Sequence, residues 1–172
     1  MNQDFKELLE LFNDEKVEYL VVGGYAVIKH SEPRYTKDLD VWVNPTMENA
    51  KRVFSALQKF GALLSDLSPQ DFCEPGFFYT MGLPPNRVDI IFDLKPLDFE
   101  ECWERRVDTD LAGISAHIIS VQDLIANKEA VGRLQDLADA EKLRLAQERI
   151  KGQRQSPDIE PKQNQEKKRR RD

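Results

Sequence analysis

Two aspartates one residue apart, Asp38 and Asp40, lead into the apolar run Val41-Trp42-Val43, and a third, Asp89, sits in a second run, Arg87-Val88-Asp89-Ile90-Ile91. On a β-strand alternate side chains share a face, so Asp38 and Asp40 stand about 6.5 Å apart on one side while Leu39, Val41 and Val43 take the other. Carboxylates at that spacing suit divalent cations. Group transfer at phosphorus asks little covalent chemistry of a protein, but it needs oxygen ligands for ions that neutralise developing charge and align the reacting groups. Asp38 and Asp40 are placed to bridge two such ions and Asp89 to hold one of them, with Asp93 a weaker substitute for Asp89.

Upstream, the apolar run Tyr19-Leu20-Val21-Val22 ends in Gly23-Gly24. Paired glycines let backbone amides approach an anion closely, and the start of a following helix carries partial positive charge, so this turn is a candidate phosphate cradle. It lacks the third glycine of a dinucleotide fingerprint. Trp42 falls on the acid-bearing face, where it either stacks a base or packs at the rim of the core. His30 and His117 have no acid-base partner in the sequence pattern and are read as positions without chemistry.

These side chains need elements to hold them. Phe5, Leu8, Leu9, Leu11 and Phe12 recur at helical spacing, which predicts a first helix of about three turns ending near Asn13. A strand over 18–22, the glycine turn and a short helix over 25–30 follow, then a loop around Pro33 and a strand over 38–43. Thr46 caps a helix over 47–60 that Gly61 closes. Residues 76–82 and 87–92 read as two strands of a hairpin, 98–105 as a short acidic helix, and 116–119 as a brief strand. Ser120 caps a helix starting at Val121, and Gly132 divides the remaining helical stretch in two. The expected architecture is α/β in the α+β sense, a mixed sheet flanked by helices and closed by C-terminal helices.

The 172 residues carry a net charge of −6, and the chain is long enough for one domain with a core, assigned to 1–150. Residues 151–172 form a polar, basic tail; from 152 onward Ile159 is its only aliphatic residue, too little apolar surface to offset the entropy of ordering. From 152 the tail holds seven basic and four acidic residues, so the body is more acidic than the whole, about −9. Such a body is a poor match for nucleic-acid binding through a broad basic face, although the cluster from Lys167 to Arg171 remains a candidate local tether. Cys73 and Cys102 are too few for a disulfide framework, and no Cys/His pair has zinc-site spacing. With no long apolar run and no signal segment, the reading is a cytoplasmic protein with no membrane partner.

The ordered set Gly23-Gly24, Arg34-Tyr35-Thr36-Lys37-Asp38-Leu39-Asp40 and Asp89 resembles the minimal nucleotidyltransferases of the DNA polymerase β-like superfamily, over about residues 19–145. The likeness is nearest to small members of abortive-infection and toxin-antitoxin systems. It implies that Asp38 and Asp40 bind two Mg2+ ions, with Mn2+ as a substitute, that Asp89 binds the catalytic one, and that Gly23 and Gly24 hold the NTP triphosphate. Arg34, Thr36 and Lys37 belong to the same motif as substrate contacts. Lys128 and Arg133 resemble the family's late basic segment facing the triphosphate, with Asp136 orienting them. The implied reaction moves a nucleoside monophosphate from an NTP to an acceptor hydroxyl or amine on tRNA or other RNA, a protein or a small molecule. Two positions depart from the pattern: Tyr25 stands where many members carry a serine, and Gln135 where a basic residue is common. They motivate an alternative, a weakly active or inactive fold that serves as a binding partner for a cognate toxin or antitoxin.

Overall fold

Asn2 accepts a hydrogen bond from Phe5 N at 2.8 Å and so caps the first helix, α1 (Gln3–Asp14). Its buried face, Phe5, Leu8, Leu9 and Phe12, is the apolar stripe of the sequence pattern. The computed structural model describes residues 1–155, and from there the chain alternates strand and helix: β1 (Tyr19–Val22), α2 (Gly23–His30), β2 (Asp38–Val43), α3 (Met47–Phe60), β3 (Phe78–Met81), β4 (Arg87–Ile91), α4 (Phe99–Glu104), β5 (Val107–Leu111), β6 (Ile114–Ile118), α5 (Val121–Val131) and α6 (Leu134–Gln155). A 3-10 turn, Asp71–Cys73, lies between α3 and β3. The α6 helix takes in the first residues of the expected tail; residues 156–172, with the basic cluster, lie outside the described residues.

The strands form one six-stranded mixed sheet in the order β3-β4-β2-β1-β6-β5. β1 runs antiparallel to β2 and parallel to β6, β2 runs parallel to β4, and the two edges are the antiparallel hairpins β3-β4 and β5-β6. Leu39, Val41, Val43, Val88 and Ile90 are all buried, as strand alternation requires for the face turned from the acids. Phe12 meets Tyr19 at 5.6 Å between ring centroids, which places α1 on that same face, and α3 packs beside α1.

Two expectations are corrected, and one open alternative is decided. The segment Val-Asp-Thr-Asp-Leu at 107–111 is a strand that the sequence pattern does not show, because its polar residues alternate with too few apolar ones. It forms by pairing with β6 through a tight turn in which Ala112 and Gly113 both have positive φ, 58° and 93°, so hairpin geometry rather than burial creates it. Correspondingly β6 is longer than the expected 116–119. The helix after the glycine pair begins at Gly23 itself rather than at Tyr25. Trp42 is not free to stack a base: it is 2% exposed and meets Phe99 of α4 edge-on at 5.0 Å, so core packing accounts for it.

A single buried amide ties the element ends together near β1 and β2. Asn49 on α3 accepts from Glu18 N at 2.8 Å and donates to Glu18 O at 3.0 Å and Asn44 O at 2.9 Å. Removing this side chain takes the partner from Glu18 N and from the buried Asn44 O, while Glu18 O keeps its bond from Asn44 N. Asn49→Ala is therefore expected to lose about 2–4 kcal/mol of stability, read as a lowered urea midpoint with an unchanged m-value.

Candidate active site

Register brings the acids together. β2 and β4 are parallel neighbours with Asp38 opposite Arg87 and Asp40 opposite Asp89, so both strands present their polar residues on one patch of the sheet. Across β1 the partner of Asp40 is Val22, the residue before the glycine pair. A Cβ added at Gly23, where φ is +59°, would collide with the Asp40 carboxylate. At Gly24 it would collide with Thr36 Oγ1 and come within 3.4 Å of a terminal nitrogen of Arg34. Only a chain without side chains at 23 and 24 passes beneath Asp40, Thr36 and Arg34, which is a stronger requirement than the conformational freedom of a turn.

The carboxylates crowd one another. Asp40 is pushed up to about 6 by burial first, then by the charges of Asp89 and Asp38, with Lys128 and Arg87 pulling the other way. Arg87 meets the same crowding directly: its Nη2 lies 2.9 Å from Asp38 Oδ2 and 2.9 Å from Asp89 Oδ2. Thr80, facing Asp89 from β3, donates to Asp89 Oδ1 at 2.8 Å. Asp38 Oδ1 is buried with no hydrogen-bond partner. As the side chains stand, no three His, Cys, Asp or Glu residues among the described residues converge tightly enough to hold an ion. The donor set nevertheless fits a hard divalent cation: oxygen ligands from adjacent strands, one oxygen without a partner, and mutual repulsion that a cation relieves.

A second cluster of charge borders the first. Lys128 on α5 lies 2.7 Å from Asp136 and 3.2 Å from Asp139, and Arg34 lies 2.8 Å from Asp139. The start of α5 is held firmly: Ser120 caps it, and Asp123 in its first turn takes a two-point hydrogen bond from Arg105 at 3.1 and 2.9 Å. Thr36 and Arg34 thus lie against Gly24, and Asp139 links Arg34 to Lys128 and, through it, to Asp136. Lys37 and Arg133 are exposed and make no side-chain hydrogen bond or ion pair among the described residues. The substitution Tyr25 packs edge-on to Phe5 at 6.0 Å, and Gln135 donates to Asp139 at 3.0 Å.

Three residues around this patch escaped the sequence pattern. Arg87 shares the face of Asp89 by simple alternation, and Asp139 follows Asp136 by one helical turn, so both were within reach of spacing arguments. Thr80 depends on the β3-β4 register, which no local pattern reveals. His117, read as lacking a partner, pairs through Nδ1 with Asp108 on β5 at 2.6 Å, at the far edge of the sheet from the carboxylates.

A cleft of about 290 Å3 opens over the acids, lined by Asp40, Phe78, Thr80, Arg87, Asp89 and Ile91. A larger cavity, about 820 Å3, has among its lining residues Tyr79, Met81 and Val88, which point away from Asp89, and shares only Thr80 with the acid cleft. Residues 1–149 match the family described as "Nucleotidyltransferase of unknown function (DUF6036)". The chain belongs to that family. Among solved structures, a Thermotoga maritima protein provisionally classed as a nucleotidyltransferase is 17% identical with a TM-score of 0.54, covering 84% of this chain and 91% of that one. The lincosamide antibiotic adenylyltransferase LnuA, bound to lincomycin, gives 14%, 0.52, 84% and 96%. The antibiotic-resistance factor ANT(2'')-Ia gives 13%, 0.54, 88% and 91%. These likenesses show a shared fold. No curated protein matches the chain by sequence. No helix among the described residues of this nucleotidyltransferase is long and apolar enough to cross a membrane.

The raised Asp40 carboxyl has a measurable consequence. Its folded value of about 6 lies above the ordinary 3.8, so between these values the folded protein holds a proton that the unfolded chain releases. Stability from this group therefore falls as pH rises from about 4 to about 6, and the ionised carboxylate weighs against folding above that window. In chelator, Asp40→Asn is expected to stabilise the protein by about 1–3 kcal/mol at about pH 7.5, a gain that closes towards about pH 4. Urea unfolding at the two pH values checks it.

Proposed function

We propose that this nucleotidyltransferase transfers a nucleoside monophosphate from an NTP to an acceptor hydroxyl or amine in a reaction dependent on divalent metal. The observation that carries the reading is the register that sets Asp38, Asp40 and Asp89 on one patch directly beside the Gly23-Gly24 turn. Asp38, Asp40 and Asp89 would hold Mg2+, or Mn2+ in its place. Metal bound there supplies charge neutralisation and alignment at the α-phosphate.

The remaining chemistry belongs to the chain's own groups. The α2 amides after Gly23 point a helix start at anionic oxygen, and Arg34 and Lys128 set positive charge beside them for the β- and γ-phosphates. The acceptor oxygen or nitrogen forms its bond to the α-phosphorus as the bond to the bridging oxygen breaks and pyrophosphate leaves, with the acceptor's proton passing to base or solvent. Arg87 compensates the acid patch when no cation is present, so it has to give up its bridge between Asp38 and Asp89 for that patch to take one.

The acceptor is sought among RNA, proteins and small molecules; one structural neighbour is a lincosamide antibiotic adenylyltransferase and another an antibiotic-resistance factor, which makes lincosamides and other antibiotics first probes. The alternative, a weakly active or inactive fold that serves as a binding partner, is motivated by Tyr25 and Gln135, which pack on Phe5 and donate to Asp139 with the three acids in place.

The experiment incubates the protein with each α-labelled NTP, Mg2+ and either cell lysate or defined acceptors. Label uptake by wild type is expected to fall by about a thousandfold or more in Asp40→Ala, and equal uptake by both proteins would overturn the assignment. Independently of turnover, millimolar Mg2+ or Mn2+ should raise the Tm of wild type and leave that of Asp40→Ala nearly unchanged.

A further inference from the structure

Asp139 is 0% exposed on α6, yet its carboxylate meets three side chains drawn from separate segments. Oδ1 accepts from Arg34 Nη1 at 2.8 Å and from Gln135 Nε2 at 3.0 Å. Oδ2 has no directed hydrogen bond, and its one near partner is Lys128 Nζ at 3.2 Å. Arg34 comes from the loop between α2 and β2, Lys128 from α5, and neither lies on the helix that carries Asp139.

A buried charge costs stability unless it is paired, and the cluster of Arg34, Lys128, Asp136 and Asp139 is balanced, with two cations and two anions. Balance alone would be served by many arrangements. This one has a direction. Arg34 is held with a terminal nitrogen over Gly24, at the start of α2, and Lys128 close enough to Asp40 to lower its proton affinity. Arg34 therefore stands over the start of α2 and is joined through one buried carboxylate to Lys128. Asp136 also holds Lys128, at 2.7 Å, but Asp139 is the anion that Arg34 and Lys128 share, so among the described residues it is what ties the loop cation to the helix cation.

We infer that Asp139 is a positioning residue: from inside the protein it ties Arg34 to Lys128 and holds them as a preset pair for the β- and γ-phosphates of the nucleotide. The inference rests on the nucleotidyltransferase reading of the site. Preset cations cost less ordering when the ligand arrives than cations recruited from solvent, so Asp139 contributes to triphosphate affinity without touching the ligand. Asp136 shares the hold on Lys128 alone.

The test measures affinity of wild type and Asp139→Asn for ATP and for AMP by calorimetry with Mg2+ present, alone and in combination with Arg34→Met and Lys128→Met. The expected result is a loss of roughly tenfold or more for ATP with AMP unchanged, together with non-additivity: in the Asp139→Asn background the two cation deletions cost much less than in wild type. An ATP affinity equal to wild type, or losses that simply add, would overturn the inference while leaving the nucleotidyltransferase reading intact. Wild type binding ATP no more tightly than AMP would overturn the triphosphate site and the inference with it. Should Asp139→Asn fail to fold, Arg34→Lys carries the test, because it keeps the charge and loses the reach from Asp139 to Gly24: a loss of ATP affinity close to that of Arg34→Met supports the inference, and full retention overturns it.

Discussion

Three carboxylates on adjacent strands repel one another, and the surroundings of this site are arranged to tolerate that repulsion. The parallel β2-β4 register that sets Asp40 beside Asp89 also sets Arg87 beside Asp38, so a guanidinium arrives on the same sheet patch as the charges it compensates. Burial and the neighbouring acids still raise Asp40 far above an ordinary aspartate. Charge crowded in this way weighs against the metal-free fold, and the proposed cation would relieve it, the usual conflict between stability and function in one set of groups.

The cost is contained by the core behind the patch. Leu39, Val41, Val88 and Ile90 anchor the strands from the opposite face, and α1 and α3 cover them, so the acids stand on a rigid floor. Asn49 joins α3 to the start of β1 and the end of β2, the two strands whose antiparallel pairing brings Gly23 under Asp40. On the other side of the glycine turn, Lys128 of α5 and Asp136 and Asp139 of α6 form with Arg34 a balanced set of charges, and Asp139 connects a loop and a helix far apart in sequence. Acid patch, glycine turn and cation pair thus meet at the ends of elements that the core holds in place, as in other α/β folds where loops and strand ends carry the chemistry.

Much of this was legible from residue order. Alternation in Asp38-Leu39-Asp40-Val41 assigns each side chain to a face by strand geometry alone, and helix caps at Thr46, Ser120 and Gly61 fall where the sequence signals them. Local patterns failed where long-range pairing decides. β5 is polar and becomes a strand only because β6 pairs with it. Trp42 alternates with the acids as expected, but whether that end of the face is open or covered depends on α4, whose Phe99 lies 57 residues further along the chain.

The sequence by itself determined the kinds of groups available and the face on which each stands, because strand and helix periodicity are local consequences of backbone geometry. It determined as well that glycines follow β1. Only the tertiary structure decided that Gly23 is required by the Asp40 carboxylate above it, that Arg87 also meets Asp38 across the sheet, that Thr80 attends Asp89, and that Asp139 pairs with both Arg34 and Lys128. Those relations depend on strand order, register and helix docking, which are set by burial of the whole core and have no signature in any short stretch of chain.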